Sequence, residues 1–318
     1  MARIDAFNGD ADGICALQQI RLAEPAESTL VTGVKRDIGL LERVTAGPGD
    51  EVTALDISLD KNREALGRLL DAGARVRYFD HHFAGELPEH PNLLLRIDPS
   101  PERGTSLLVD EYLGGRYRGW AVVGTFGDNL NESARRAAEP LALPPADLDG
   151  LRELGVLLNY NAYGERVEDL HIAPDALFRR VQPYADPLAF VAEDAVFIQL
   201  REGFRHDQDQ ALALQPEIET ERVALYVLPG EAWARRVIGV FANDLARGTP
   251  ARAHALLTRL TDGGFVVSVR APLTTKTGAD GLCRQFPTGG GRQGAAGINR
   301  LPDELYEDFV RRFVEAFA

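Results

Sequence analysis

Segments of two kinds alternate through the first part of the chain, and this alternation constrains the fold most. Residues 3–8, 51–55 and 74–79 are short and have the pattern of β-strands, whereas residues 14–22 and 60–72 carry apolar side chains at helical spacing. Strands that alternate with helices indicate a parallel sheet covered by helices. The sequence therefore predicts an α/β fold with a mostly parallel sheet in the N-terminal domain.

Each predicted strand of this half ends near a carboxylate. Residues 120–125 form a further apolar run, which predicts a fourth strand leading towards another aspartate. The aspartates at the four strand ends are Asp10 with Asp12, Asp56, Asp80 and Asp128. Ligands of such sheets gather beyond the carboxyl ends of the strands, so we expect these side chains to meet. Asp is also common in turns, and any one of them taken alone could be a turn residue.

Asp80, His81 and His82 stand in a row where the third predicted strand ends. Neighbouring side chains of a strand point to opposite faces, so the strand must break near Asp80 if more than one is to reach a single site. Two interpretations stay open for this triplet alone, a surface turn with two histidines and one corner of a metal site. The carboxylates at the other strand ends favour the metal site.

The side chains at these strand ends offer oxygen and imidazole nitrogen but no thiolate. Such a ligand set suits Mn²⁺ or Mg²⁺, with Fe and Zn as further alternatives. Several carboxylates in one cleft repel each other strongly unless cations are present. Two divalent ions about 3.5–4 Å apart would relieve that repulsion and supply phosphoryl-transfer chemistry. We therefore expect two ions, Mn²⁺ in the first place and Mg²⁺ as the alternative.

The pattern changes after about residue 144. Helical segments continue to about residue 190, and residues 208–221 are polar, acidic and weakly periodic. Strands and helices return from residue 222, which indicates a second, smaller α/β unit. The sequence therefore predicts a first domain over 1–190 with helices at its end, a connector over 191–221, and a second domain over 222–318.

The net charge of −13 limits the partners of the chain. A protein that grips long nucleic acid through phosphates needs a basic face, so the acidic total favours a small or short anionic substrate. No apolar run is long enough to cross a bilayer, and the N-terminus lacks a signal pattern, so no membrane partner is expected. Cys15 and Cys283 form no disulfide framework, which favours a reducing cytoplasm. The oligomeric state stays open, with a homodimer as one alternative.

A glycine-rich segment lies at residues 288–297. Consecutive glycines let backbone N–H groups approach a ligand, and a helix starting just after them would add its positive end, so the segment predicts an anion-binding loop. Its match to G-x-G-x-x-G is not taken as a dinucleotide fingerprint, because the required βαβ unit and downstream acidic residue are not apparent. A glycine-rich surface loop is the other interpretation.

The motifs of the first half resemble, in order, the four motifs of the DHH phosphoesterase superfamily. They are Asn8-Gly9-Asp10-Ala11-Asp12-Gly13, Asp56, Asp80-His81-His82 and Gly124-Thr125-Phe126-Gly127-Asp128. The superfamily includes RecJ-type exonucleases, oligoribonucleases of the nanoRNase type, phosphoadenosine-phosphate phosphatases and cyclic-dinucleotide phosphodiesterases. The resemblance implies a metal-dependent hydrolase that cleaves phosphodiester or phosphomonoester bonds of a nucleotide or short single-stranded oligonucleotide.

The resemblance also implies roles for individual residues. The implied metal ligands are Asp10, Asp12, Asp56, Asp80, His81 and Asp128, with Asp56 as the bridge between two ions. The implied catalytic group is Asp56, Asp80, His81 and His82. Within it, His82 would lie beside the substrate phosphate or support the ligands.

The C-terminal segment resembles the Gly-Gly-Gly-His loop of the DHH-associated domain. The implied substrate-binding residues are Arg270, Gly289, Gly290, Gly291 and Arg292. Arg292 replaces the usual histidine, and an arginine can hold a phosphate but cannot shuttle a proton at neutral pH.

Asn8 is a second departure from the family pattern, because members often have a His or an additional Asp near this position. A neutral amide oxygen binds a cation more weakly than a carboxylate does. The two departures leave open a nucleotide-binding regulatory protein with a degenerate metal site. An exonuclease that acts on longer single strands is a third alternative.

Overall fold

Five parallel strands form the sheet of the N-terminal half. In the computed structural model, which describes residues 1–317, they are β1 (Arg3–Phe7), β2 (Thr29–Val31), β3 (Glu51–Leu55), β4 (Arg75–Asp80) and β5 (Leu93–Ile97). Their order across the sheet is β2-β1-β3-β4-β5, and every neighbouring pair is parallel. The predicted α/β fold with a parallel sheet is therefore confirmed, and the carboxyl ends of the strands share one edge.

Nine helices accompany this sheet and continue beyond it. They are α1 (Ala11–Ala23), α2 (Leu59–Asp71), α3 (Thr105–Tyr112), α4 (Arg118–Gly127), α5 (Asn131–Ala138), α6 (Pro145–Asn161), α7 (Pro174–Val181), α8 (Pro187–Glu193) and α9 (Ala195–Leu212). Helix α1 is buried along almost its whole length, so it lies inside the unit rather than on its surface. Within residues 1–317, none of the helices combines the length and the apolar character needed to span a membrane.

Contacts divide the chain into two compact units. The first is Met1–Glu202, and the second begins at Gly203, within α9. Residues 191–221, predicted as a connector, contain α9 and the short strand β6 (Ile218–Glu219).

The second unit is built on a mixed sheet of six strands. Besides β6, the strands are β7 (Val223–Leu228), β8 (Ala253–Arg259), β9 (Phe265–Arg270), β10 (Gly289–Arg292) and β11 (Ala295–Leu301), in the order β10-β11-β9-β8-β7-β6. Only β7 and β8 pair in parallel among these described strands. The helices of this unit are α10 (Ala232–Gly248), α11 (Ala279–Cys283) and α12 (Tyr306–Phe317). Phe309 and Phe313 of α12 are fully buried in the apolar core of this unit.

The predicted strand at residues 120–125 was wrong, because these residues belong to α4. Every residue from Trp120 to Gly127 is buried, and α4 packs against α1, α3 and α6. A helix surrounded by other helices is apolar on all sides, so a short stretch of it has the same pattern as a buried strand. Asp128 consequently follows a helix rather than a strand.

The glycine-rich segment is a strand and not a loop that leads into a helix. Gly289–Arg292 form β10, which pairs antiparallel with β11, so no helix follows the glycines directly to add its positive end. A Cβ atom on Gly289 would lie 1.8 Å from the carbonyl oxygen of Cys283 in α11. Close packing of the strand on α11 therefore explains the glycine at this position.

Candidate metal centre

Asp10 and Asp12 lie at the start of α1, just after β1. Asp10 is the N-cap of the helix, and its Oδ1 accepts a hydrogen bond of 3.0 Å from the Gly13 backbone N–H. Asp12 lies in the first turn and accepts from the backbone N–H groups of Thr105 (2.6 Å) and Ser106 (2.8 Å) at the start of α3. Both carboxylates are buried. Asp12 thereby ties the start of α1 to the start of α3.

The first turn of α1 packs so closely on the chain before it that only glycine fits at position 13. A Cβ atom on this residue would lie 2.2 Å from the carbonyl oxygen of Asn8. The Asn8 side chain makes two hydrogen bonds, because its Oδ1 accepts from the Asp10 N–H (3.2 Å) and its Nδ2 donates to the Lys35 carbonyl oxygen (3.2 Å). The structure thus gives Asn8 a role in positioning two neighbouring residues.

Asp56 follows β3 in a left-handed backbone conformation, with φ of 58°. Non-glycine residues seldom adopt this conformation, although Asp and Asn tolerate it better than most. The side chain is buried, and its Oδ1 accepts from the Thr105 hydroxyl at 3.0 Å. Thr105 therefore contacts both Asp12 and Asp56.

Asp80 is the last residue of β4 and is fully buried. Its Oδ1 lies 2.7 Å from Nδ1 of His82, whereas its Oδ2 has no hydrogen-bond partner among residues 1–317. A buried carboxylate oxygen without a partner is costly unless a cation or another donor satisfies it.

His81 is the residue that joins the aspartates. Its Nε2 lies 3.4 Å from Asp56 Oδ1, 3.4 Å from Asp128 Oδ2 and 4.0 Å from Asp12 Oδ2. Two sets of residues each have potential ligand atoms that lie within 4.8 Å of one another. They are Asp56-His81-His82 and Asp12-His81-Asp128. The structure thus brings most of the predicted ligands together around one histidine.

Lys35 completes the cluster and was not predicted. Its ammonium group contacts Asp10 Oδ2 closely, and it lies 3.0 Å from Asp128 Oδ1 and 2.8 Å from Asn159 Oδ1. Lys35 precedes the 3₁₀ turn Leu40–Arg43 in an irregular segment, and Asn159 lies near the end of α6. The chain has only three lysines, which is the one sequence signal that singles this residue out.

Burial and mutual repulsion change the proton affinity of these carboxylates. Burial, followed by the charge of Asp128, raises the pKa of Asp12 to about 6. Burial and the charges of Asp10 and Asp12 raise the pKa of Asp56 well above its ordinary value. Burial also acts to raise the pKa of Asp10, but the ammonium of Lys35 holds it below its ordinary value. Further positive charge would therefore stabilise the ionised forms of Asp12 and Asp56.

The residues of the cluster fit a hard divalent cation. Carboxylate oxygens and imidazole nitrogens are the ligands that Mn²⁺ and Mg²⁺ prefer in proteins. The unpartnered Oδ2 of Asp80 supports this fit, since it is a buried acceptor that the protein leaves unsatisfied. Cys15, the nearby thiol of α1, is fully buried, and burial raises its pKa well above the ordinary value, which removes it as a thiolate ligand.

Arg270 and Arg292 share one face of the sheet in the second unit. Arg292 pairs with Ala295 of β11, which pairs with Arg270 of β9, so the two arginines stand two strand spacings apart, about 10 Å. Arg270 donates to Asn243 Oδ1 (2.8 Å) and to Ser268 Oγ (3.0 Å), whereas Arg292 is exposed.

Solved structures with the same architecture identify the fold. A DHH-domain protein described as a member of a family of ribosomal proteins matches with a TM-score of 0.67 and 13% identity, over 100% of this chain and 87% of that one. RecJ from Thermus thermophilus, in complex with Mn²⁺, matches with a TM-score of 0.60 and 21% identity, over 99% of this chain. This chain spans 52% of that RecJ.

A third solved structure is the pGpG-specific phosphodiesterase PggH from Vibrio cholerae, with a TM-score of 0.57 and 16% identity, over 99% of this chain and 98% of that one. No protein-family model and no curated protein sequence matches the chain. The matching structures define the class of the fold, which is that of the DHH-domain proteins.

Proposed function

We propose that the protein is a metal-dependent phosphoesterase that hydrolyses phosphodiester or phosphomonoester bonds of nucleotides or short oligonucleotides. One observation carries this proposal: Asp12 and Asp56, both buried, and the partly buried Asp128 lie around His81. Clusters of buried carboxylates with raised pKa values are typical of functional sites rather than of structural ones. The fold adds support, because the neighbours with known ligands or activities include a RecJ bound to Mn²⁺ and a pGpG-specific phosphodiesterase.

Asp12, Asp56, His81 and Asp128 would hold the cation, and Asp80 would support the site through its free oxygen. Mn²⁺ is the first choice and Mg²⁺ the second. When bound, such a cation stabilises the charge that develops on phosphate oxygens and makes a water molecule easier to deprotonate.

The protein's own side chains would orient the substrate phosphate. Asp80 holds Nδ1 of His82 at 2.7 Å, which fixes the ring and leaves Nε2 for the substrate. Burial acts to lower the pKa of His82, but the hydrogen bond and charge of Asp80 raise it above the ordinary value. We propose that His82 donates a hydrogen bond to the substrate phosphate from this nitrogen.

We propose that the sheet of the second unit binds a phosphate group through its arginines. Arg270 is held by Asn243 and Ser268, so its guanidinium is already oriented before a ligand arrives. Arg292 is exposed on the same face and can hold a phosphate through two N–H groups. The backbone of the edge strand Gly289–Arg292 adds N–H groups that face no further strand.

Hydrolysis of bis-p-nitrophenyl phosphate, a short RNA and phosphoadenosine phosphate in Mn²⁺ tests this proposal. Asp80→Ala should keep the circular dichroism spectrum of the wild type and lower turnover by at least about 10–100-fold, as is typical when support of a metal is lost. Asp60→Ala is the matched control, because Asp60 is exposed in the first turn of α2 and pairs only with Lys61 among the described ion pairs.

If Asp80→Ala keeps full turnover, the acidic cluster is not the site of the reaction. No turnover by the wild type with any of the three substrates, together with measurable nucleotide binding, would instead favour the regulatory protein with a degenerate metal site.

A further inference from the structure

Lys35 is held in the acidic cluster by its backbone as well as by its side chain. Its N–H donates to the Ala162 carbonyl oxygen at 2.8 Å, and its own carbonyl oxygen accepts from Asn8 Nδ2 at 3.2 Å. These two bonds fix the residue between the turn before α1 and the end of α6. The side chain therefore enters the cluster from a fixed point of the fold.

The ammonium group has as many oxygen neighbours as it has protons to donate. These neighbours are Asp10 Oδ2, Asp128 Oδ1 and Asn159 Oδ1, and the Tyr163 ring centroid lies 5.8 Å away. An ammonium group donates three hydrogen bonds and accepts none, so this environment satisfies it completely. Two of the three partners are carboxylates, which keep the group charged.

The ammonium group of Lys35 offsets the charge of Asp10 directly. Oδ2 of Asp10 contacts Lys35, and Oδ1 accepts from the Gly13 N–H. Asp10 belongs to neither of the two ligand sets. The amide oxygen of Asn8, its neighbour in the turn, accepts from the Asp10 N–H.

The remaining ligand atoms suffice for one cation rather than two. Both ligand sets depend on His81, whose Nε2 lies 3.4 Å from Asp56 and 3.4 Å from Asp128. A neutral imidazole nitrogen has one lone pair and binds one metal ion. Asp128 contacts Lys35 with one oxygen and faces His81 with the other, so the ammonium lies directly beside this ligand set.

We propose that the ammonium group of Lys35 takes the place of a second divalent cation, so that the acidic cluster binds one divalent cation per chain. Lys35 supplies a fixed positive charge next to Asp10 and Asp128, where a second ion would otherwise be needed to offset their repulsion. The inference rests on the proposed metal centre, and it is independent of the reaction that the centre supports.

The number of Mn²⁺ ions bound at saturation tests this inference, measured by equilibrium dialysis with elemental analysis and by electron paramagnetic resonance. The wild type should bind one ion and give the spectrum of an isolated Mn²⁺. Lys35→Ala should bind two ions and give the spectrum of a coupled pair, because Asp10 and Asp128 become free. Lys35→Arg keeps the charge and should bind one.

Lys61→Ala is the matched control, because Lys61 is exposed and contacts only Asp60 among the described ion pairs, and it should bind one ion. Two ions in the wild type, or one ion in a folded Lys35→Ala, would overturn the inference. If Lys35→Ala does not fold, the counts for the wild type and Lys35→Arg decide by themselves, with two ions in either overturning the inference. Hydrolysis is measured separately, so an active wild type with two ions would refute this inference and leave the proposed function standing.

Discussion

Asp56 shows at the scale of one residue how the placement of a carboxylate can act against stability. Its backbone is left-handed, its carboxylate is buried, and the aspartates beside it raise its pKa. Each of these features is unfavourable for the protein without a cation. A ligand that neutralises the carboxylate therefore stabilises the folded chain.

Asp56→Asn should make the metal-free protein more stable near neutral pH. Asn tolerates the left-handed conformation and can still accept from the Thr105 hydroxyl, while the charge is removed. We expect a gain in the free energy of unfolding, because the cost of ionising a buried carboxylate among other carboxylates is removed. Urea unfolding of the metal-free wild type and variant measures it. Mn²⁺ should raise the melting temperature of the wild type much more than that of the variant.

The gain should depend on pH in a defined direction. The folded state raises the pKa of Asp56, so in the wild type this group favours folding below the ordinary carboxyl pKa of about 4 and loses that contribution as the pH rises through the raised value. The advantage of Asp56→Asn should therefore be small near pH 4 and grow towards neutral pH. Asp60→Asn, at an exposed position, should show no such trend. A constant difference between wild type and Asp56→Asn across this range would contradict the explanation.

At the scale of elements, the close packing of α1, α4 and α6 positions Asp128 at the end of α4. Gly127 is the last residue of α4 and directly precedes Asp128. A Cβ atom on Gly127 would lie 2.2 Å from the Cβ of Ala11 in α1 and 2.9 Å from the carbonyl oxygen of Gly155 in α6. The three helices are therefore as close as a glycine at this position allows.

Gly127→Ala should lower both stability and metal affinity. The added methyl group has no space, so α4 must shift, and overpacking of this kind costs about 1–3 kcal/mol. The shift also moves Asp128 away from His81, which should weaken Mn²⁺ binding in isothermal titration calorimetry. Gly67→Ala is the control, because no atom of the described chain lies within 4 Å of its added Cβ in α2, and this change should stabilise by about 0.5–1 kcal/mol. Equal effects of the two changes would show that close packing of α4 is not important.

The sequence predicted strands and helices whose hydrophobic pattern is clear over a short stretch. It failed where the structure depends on residues that are distant in the chain. Aspartates at or near the carboxyl ends of β1, β3 and β4 lie close together because a parallel sheet brings these ends to one edge. Helix α4 was mistaken for a strand because a short, mainly apolar run is compatible with either structure. Lys35 could not be predicted, since its partner Asn159 is 124 residues further along the chain and only the folded unit brings them together.

At the scale of the whole molecule, the charge of −13 works against long nucleic acids. A polyanion and a protein of the same sign repel each other, and added salt weakens that repulsion. A small substrate carries few charges and is less affected. The acidic total therefore favours nucleotides and short oligonucleotides over long strands.

Ionic strength should distinguish the two kinds of substrate. For a single strand of about twenty nucleotides, kcat/KM should rise between about 50 and 200 mM salt, whereas a protein with a basic groove would lose affinity over this range. For bis-p-nitrophenyl phosphate, kcat/KM should stay nearly constant, which makes it the internal control. A steep fall for the long strand would reveal a local basic groove and favour the exonuclease alternative.

The wide spacing of the cluster along the chain has a consequence for synthesis on the ribosome. Asp10, Asp12 and Asp56 are made early, whereas Asp128 and Asn159 follow much later. A nascent chain grows by about 5–20 residues per second. Several seconds therefore pass between the synthesis of the first aspartates and that of Asp128 and Asn159. Lys35 is made between Asp12 and Asp56, and its ammonium is therefore present as a counter-charge before α6 closes the site. The sequence thus encodes one counter-charge of the cluster. The Lys35 ammonium is synthesised as part of the same chain as the aspartates whose charge it offsets.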